Sequence, residues 1–158
     1  MSAATQRSSA VSYRMETEGE LEILALLVSV YHAHYVKDAT AIAAPFARDA
    51  TIFNLAPPLI HHGIDIVSKQ AWLDSWETPI VLGERDFKVT VRGDLAFAHG
   101  LLRMSGTKKG SEGKVSFWMR ETVCLERVAG AWKIVHEHAS VPFYMDGTLR
   151  PAFDLVPQ

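Results

Sequence analysis

RETVCLERVAGAWKIVHEHASVP, residues 120–142, decides how the chain is read. It divides into two strands around a tight turn. Met119, Glu121, Val123 and Leu125 alternate along the first half. In the second, Trp132, Ile134, His136, His138 and Ser140 fall on one parity and Lys133, Val135, Glu137 and Ala139 on the other. Alternation with period two is the mark of a half-buried strand. Ala129-Gly130 stands between the halves, and glycine supplies the positive φ of a hairpin turn. Pro142 has no N–H to donate and ends the pairing.

The second strand carries the unusual chemistry. Its face begins as core at Trp132 and Ile134, then turns polar at His136, His138 and Ser140. Such a change predicts a core that opens into a lined cavity. A plainer reading is a pair of hydrogen-bonded histidines near a sheet edge.

The rest of the composition bounds the answer. A chain of 158 residues with 48% apolar residues has the size and core of one domain. Its net charge of −2 gives no field for nucleic acid. The single cysteine, Cys124, allows no internal disulfide and reads as a small core residue. No apolar run reaches the length of a membrane span. The first residues lack the apolar segment of a secretory signal, so a cytoplasmic protein is expected.

Residues 1–15 are expected to be a flexible tail, residues 16–142 the domain, and 143–158 an apolar tail that covers the pocket or packs on a second subunit. A helix is expected over 16–37, capped by Thr17 with Glu20 three residues on. Its apolar face is read as Leu21, Leu24, Val28, Tyr31 and Tyr35, widened by Leu26, Leu27 and Val30. A second helix is expected from Ala39 to Phe46 and a third from Ile64 to Trp76, with a short strand Thr51–Phe53 between them. Strands follow at 87–91, 95–104, 115–128 and 131–141. Helices first and a meander after gives α+β: a cone-shaped, curved antiparallel sheet wrapped around N-terminal helices.

That order, with ARDATIFN at 47–54, PPLIHHGIDIVSKQAW at 57–72 and the stretch 120–140, resembles the nuclear transport factor 2-like superfamily, in particular its SnoaL-like and ketosteroid isomerase-like members. The last segment is also similar to the association domain of calcium/calmodulin-dependent kinase II. The resemblance implies a deep cavity between the concave face of the sheet and the helices. The fold hosts many activities, so residues must be compared one by one. The position of the isomerase's aspartate base holds Asn54, an amide that takes up no proton near neutrality. The position of its oxyanion-hole tyrosine holds Val30, beside Tyr31.

The candidate catalytic residues are therefore His138, Asn54, Tyr31 and Glu121. His138 is read as acid or base, oriented by Glu121 or Asp49, with Asn54 and Tyr31 as donors. Arg120, His136, Trp72, Trp76, Trp118 and His34 are candidate ligand-binding residues, Arg120 for an anionic group and the tryptophans as an aromatic wall. His136 and His138 with Glu121 make a poor metal set, and no phosphate loop, dinucleotide fingerprint or nucleophile elbow is present, so no cofactor or metal is expected. The expectation is a pocket for a small apolar or carbonyl-bearing ligand, in a homodimer, with proton transfer next to a carbonyl as the reaction. The alternative is a non-enzymatic binding or oligomerisation module. The parity of strand 114–128 separates two versions of the site. Arg120 inside means an acidic ligand, and Glu121 inside means a carboxylate-based dyad.

Overall fold

The computed structural model of the chain describes residues 17–158. The tail expected over residues 1–15 lies outside them. Helix α1, Glu18–Tyr35, starts as anticipated. Thr17 Oγ1 accepts from the Glu20 N–H, and Glu20 Oε2 accepts from the Thr17 N–H at 2.8 Å. The buried stripe is Ile23, Leu27, Val30 and Ala33. This corrects the sequence reading, because Leu21, Val28 and Tyr35 are 54%, 56% and 51% exposed. Apolar residues surround most of this helix, so its period defines two stripes, and the sheet selects one of them.

Helix α2, Ala39–Ala43, is shorter than expected. Ala44 and Pro45 form a turn and Phe46 opens the next strand instead, with the Pro45 carbonyl accepting from the Ile134 N–H at 2.9 Å. Strand β1 runs over Phe46–Phe53, and β2, His61–His62, is a short edge strand antiparallel to it. Helix α3, Ile66–Asp74, is capped by Asp65, whose Oδ1 accepts from the Ser68 N–H at 2.8 Å. The meander follows: β3 Val81–Arg92, β4 Leu95–Gly106, β5 Val115–Val128 and β6 Ala131–Ser140. Ala129 and Gly130 both take positive φ at the β5–β6 turn, 50° and 82°.

The six strands form one curved, unclosed sheet in the order β2-β1-β6-β5-β4-β3. The fold is α+β, with one correction: β1 lies parallel to β6, so the sheet is mixed. Two apolar clusters hold the helices to its concave face. One places Ile23 and Leu27 of α1 against Ile52, Val123, Leu125, Trp132 and Ile134. The other joins Val30 and Ala33 to Ile42, Leu73, Trp76 and Ile80. Each such aliphatic side chain stabilises the fold by roughly 1.5–3 kcal/mol when fully buried. Beyond β6 the chain makes a small turn-back, Tyr144 N–H to Arg150 O and Ala152 N–H to Pro142 O, and Phe153 packs on Phe117 with ring centroids 4.7 Å apart. Among the described residues no helix is long and apolar enough to cross a membrane.

Candidate active site on the concave face

One residue of β6 determines which side chains face the helices. Leu125 pairs with Ile134, but Cys124 pairs with His136, so Val135 has no partner on β5. It is a β-bulge, and a bulge reverses the alternation beyond it. Upstream, Trp132 and Ile134 face the helices. Downstream, Glu137 opposite Val123 and Ala139 opposite Glu121 face them. His136 and His138 stand opposite Cys124 and Thr122 on the convex face. This corrects the expectation that the two histidines continue the face of Ile134. Both rings lie edge-on to Phe53, at 4.9 and 5.5 Å, and His136 Nδ1 donates to the Thr51 carbonyl at 2.7 Å.

The concave face does turn polar, through glutamates. On β5 buried Glu121 interrupts the buried series Leu125, Val123 and Met119, and on β6 Ile134 is succeeded by half-buried Glu137. Glu84 comes to the same face from β3, opposite Leu102. From α1, Tyr31 Oη donates to Glu121 Oε2 at 3.3 Å. His34, one turn on, donates from Nδ1 to the Val30 carbonyl at 2.9 Å, and its ring meets the edge of Trp72 at 6.4 Å. From α3, Lys69 Nζ lies 5.0 Å from the centre of the Trp72 ring, and Trp72 packs edge-on against Trp76 at 5.7 Å. On the other side of Tyr31, a groove of about 350 Å³ runs between α1 and the start of β3, lined by Val28, Tyr35, Leu82 and Glu84 among others.

Burial and mutual charge control the protonation of this cluster. Burial, then the charge of Glu137, pushes the Glu121 carboxyl up to about 8, against the Tyr31 hydrogen bond that opposes the shift. Burial also raises Glu137, while Lys69 and His136 favour its ionised form. The Tyr31 phenol is raised, first by burial and then by the charge of Glu121, so it acts as a donor only. Burial holds His34 down to about 4, a neutral ring with Nε2 as acceptor. Two close carboxyls in a desolvated site do not both ionise readily. At neutral pH Glu121 therefore retains a proton and can donate it. Glu137, facing the Lys69 ammonium, is the better placed of the two to act as carboxylate.

Of the ten residues singled out in the sequence, the structure brings together Tyr31, Glu121, His34, Trp72 and Trp76 on the helix side. It places His136, His138, Arg120 and Trp118 on the convex face, so Glu121 is the residue turned inward, and no His138–Glu121 dyad forms. Asp49 and Asn54 are exposed, and Asn54 Oδ1 accepts from the next residue's N–H at 2.7 Å. Glu137, Lys69 and Glu84 escaped sequence reasoning. For Glu137 a signal existed: adjacent Ile134 and Val135 break the alternation at the bulge. Among the described residues no three His, Cys, Asp or Glu side chains converge as a metal-ligand set.

Comparisons with known proteins agree with this architecture. The family described as the SnoaL-like domain matches residues 23–144. An NTF2-like protein of unknown function from Pseudomonas putida KT2440 is 32% identical, with 91% of this chain and all of that one covered, at a TM-score of 0.78. A suggested calcium/calmodulin-dependent protein kinase II association domain from Xanthomonas campestris is 19% identical over 75% of this chain and 84% of its own, TM-score 0.65. A suggested dehydratase of the NTF2-like family from Streptomyces avermitilis is 17% identical over 80% and 97%, TM-score 0.68. At these identities the last two speak for the fold alone. The search of curated proteins gives no match.

Proposed function

This chain belongs to the SnoaL-like domain family, and we propose that it is a cofactor-independent enzyme that moves a proton next to the carbonyl of a small ligand, as in isomerisation, dehydration or cyclisation. The observation that carries the reading is the Tyr31–Glu121 hydrogen bond beside Glu137. In this mechanism Glu121, protonated at neutral pH, donates to the carbonyl oxygen and stabilises the charge that develops there. Tyr31 holds its other oxygen in place. Glu137 takes the proton from the neighbouring carbon, in the role the sequence suggested for His138. Trp72 and neutral His34 offer an apolar wall for the rest of the ligand. The dehydratase description of the Streptomyces neighbour fits this reaction class.

The test is deuterium uptake at the carbon next to the carbonyl, followed by NMR for a panel of small cyclic and aromatic ketones in D₂O. Uptake above the buffer rate is expected, with Glu137→Gln losing about 10²–10⁴-fold and Glu121→Gln and Tyr31→Phe losing less. Full uptake by Glu137→Gln would end the assignment.

A second reading, a non-enzymatic ligand-binding or oligomerisation module, is favoured by the convex face. There Phe97, Leu101 and Trp118 stand on neighbouring strands around Arg120 and the two histidines, an apolar surface suited to a partner.

A further inference from the structure

We propose that Lys69 is a carbonyl-capturing amine, which forms a reversible imine with aldehydes or reactive ketones admitted to the concave face. The inference rests on the reading of that face as a carbonyl-binding pocket. Lys69 lies one helical turn before Trp72 and Leu73 of α3, and Leu73 is fully buried. Residues three and four apart share a helix face, so the lysine stem points inward with them.

Its surroundings set it apart from the other six lysines. Lys88, Lys108, Lys109 and Lys114 are exposed. Lys37 and Lys133 give their ammonium protons to the backbone carbonyls of Trp76 and Ala44. Lys69 is half-buried, and among the described residues its ammonium makes no hydrogen bond or ion pair, while its backbone N–H donates to the Asp65 carbonyl at 2.9 Å. Its ammonium lies over the face of Trp72. Glu137 faces it from β6 beyond contact distance, and His34 from α1. The proposal seats the reacting carbonyl between this amine and that carboxyl, which do not pair with each other.

The protonation states suit the chemistry. Transfer of one proton from the Lys69 ammonium to the Glu137 carboxylate gives the free amine and the acid that the addition needs, and burial, which lowers the lysine and raises Glu137, favours that transfer. Desolvated lysines are the ones that act as nucleophiles. The nitrogen lone pair attacks the carbonyl carbon and forms the C–N bond. The carbonyl π pair moves to oxygen, which takes a proton from Glu137, and the nitrogen proton returns to the carboxylate. The resulting carbinolamine loses its hydroxyl as water when the same carboxyl protonates it. The nitrogen lone pair closes the C=N bond. Carbonyl and amine have become imine and water, with no change in oxidation state. While it remains protonated, that imine also withdraws electrons from the neighbouring carbon more strongly than the carbonyl does.

The experiment is reductive trapping on the full chain, with propanal and sodium cyanoborohydride at neutral pH and peptide mapping over time. Lys69 is expected to gain the propyl group several-fold faster than Lys88 or Lys114, since burial lowers its pKa and leaves more of it as free amine. Lys69→Met should lose the fast adduct and retain the slow ones, with an unchanged far-UV spectrum as the check on folding. Labelling of Lys69 no faster than Lys88 and Lys114, or a fast adduct that survives Lys69→Met, overturns the proposal. Ketone deuterium uptake without fast trapping removes Lys69 and leaves the acid–base reading. Fast trapping without uptake does the reverse.

Discussion

Glu121 and Glu137 are diagonal neighbours across β5 and β6: Glu121 stands opposite Ala139, and Glu137 opposite Val123. Side chains so placed lie within reach on one face of a sheet. Both carboxyls point to the helices, where Tyr31 of α1 bonds Glu121 and Lys69 of α3 faces Glu137 without pairing with it. The carboxyl pair therefore rests on the strand register, and the donors rest on α1 and α3.

The proton on Glu121 makes stability depend on pH. An ordinary glutamate titrates near 4.5 and Glu121 near 8. Between these values the folded protein keeps a proton that the unfolded chain has released. This contribution is full below about 4.5 and is lost as pH rises through 8. His34 acts with the opposite sign between about 4 and 6.5, so the clean window lies above 6.5. From pH 6.5 to 9, Glu121→Gln should gain about 2 kcal/mol relative to the parent protein. Urea unfolding of both at the two pH values measures it. A constant difference would mean that Glu121 is already ionised at neutral pH.

Trp132 and His138 lie on opposite faces of β6, and their truncations should differ. Trp132 is buried, donates from Nε1 to Glu22 at 2.8 Å and stacks under Arg127 at 4.5 Å. Trp132→Ala should cost roughly 3–5 kcal/mol, while His138→Ala should cost about 1 kcal/mol and leave carbonyl-ligand chemistry intact. Thermal melts beside the deuterium assay decide it. Loss of uptake in a well-folded His138→Ala would return the histidine to the site.

Gly63 fixes the edge of the sheet. It has φ +66°, and a Cβ there would stand 2.2 Å from the Arg48 carbonyl oxygen. Its N–H meanwhile bonds the Ala50 carbonyl at 2.7 Å. Gly110 has a similar φ, +74°, with nothing within 4 Å. Both changes to alanine carry the backbone strain, about 1 kcal/mol, and Gly63→Ala alone adds the clash. Denaturation midpoints should show Gly63→Ala less stable by a further 1–3 kcal/mol or so. Equal midpoints would show that the β1–β2 edge gives way freely.

A second copy of the chain is the expected partner of the convex face. Stable interfaces of this kind bury on the order of 2,000 Å² or more. Sedimentation at micromolar concentration should give a dimer, and Phe97→Glu, which leaves the concave face untouched, should give a folded monomer. A monomeric parent protein would remove this expectation.

Much of the architecture is legible in the residues. Thr17 with Glu20 announces the first helix and Ala129-Gly130 the last hairpin, because caps and turns are local and draw on few residue types. Glu121, Tyr31 and Trp72 were found among the candidates for the same reason: they lie on segments whose secondary structure was read correctly. The histidines were assigned to the wrong face because parity is cumulative, and one unpaired residue at Val135 inverts everything after it. The stripe of α1 was misjudged because several leucines and valines compete, and only the sheet decides among them. Lys69 gave no signal, since its role depends on a strand that follows it by more than sixty residues.

The parallel pairing of β1 with β6 has a consequence for biosynthesis. Apart from the two residues of β2, the partner of Phe46–Phe53 is the stretch 131–140, the last strand of the sheet to be made. At about 5–20 residues per second, a ribosome leaves one edge of β1 unpaired for several seconds before β6 emerges. Contacts of such long sequence separation also form late and slowly. A nascent chain stopped before residue 131 would hold β3, β4 and β5 but leave β1 paired with β2 alone, so the two parts of the sheet are joined only when β6 leaves the exit tunnel.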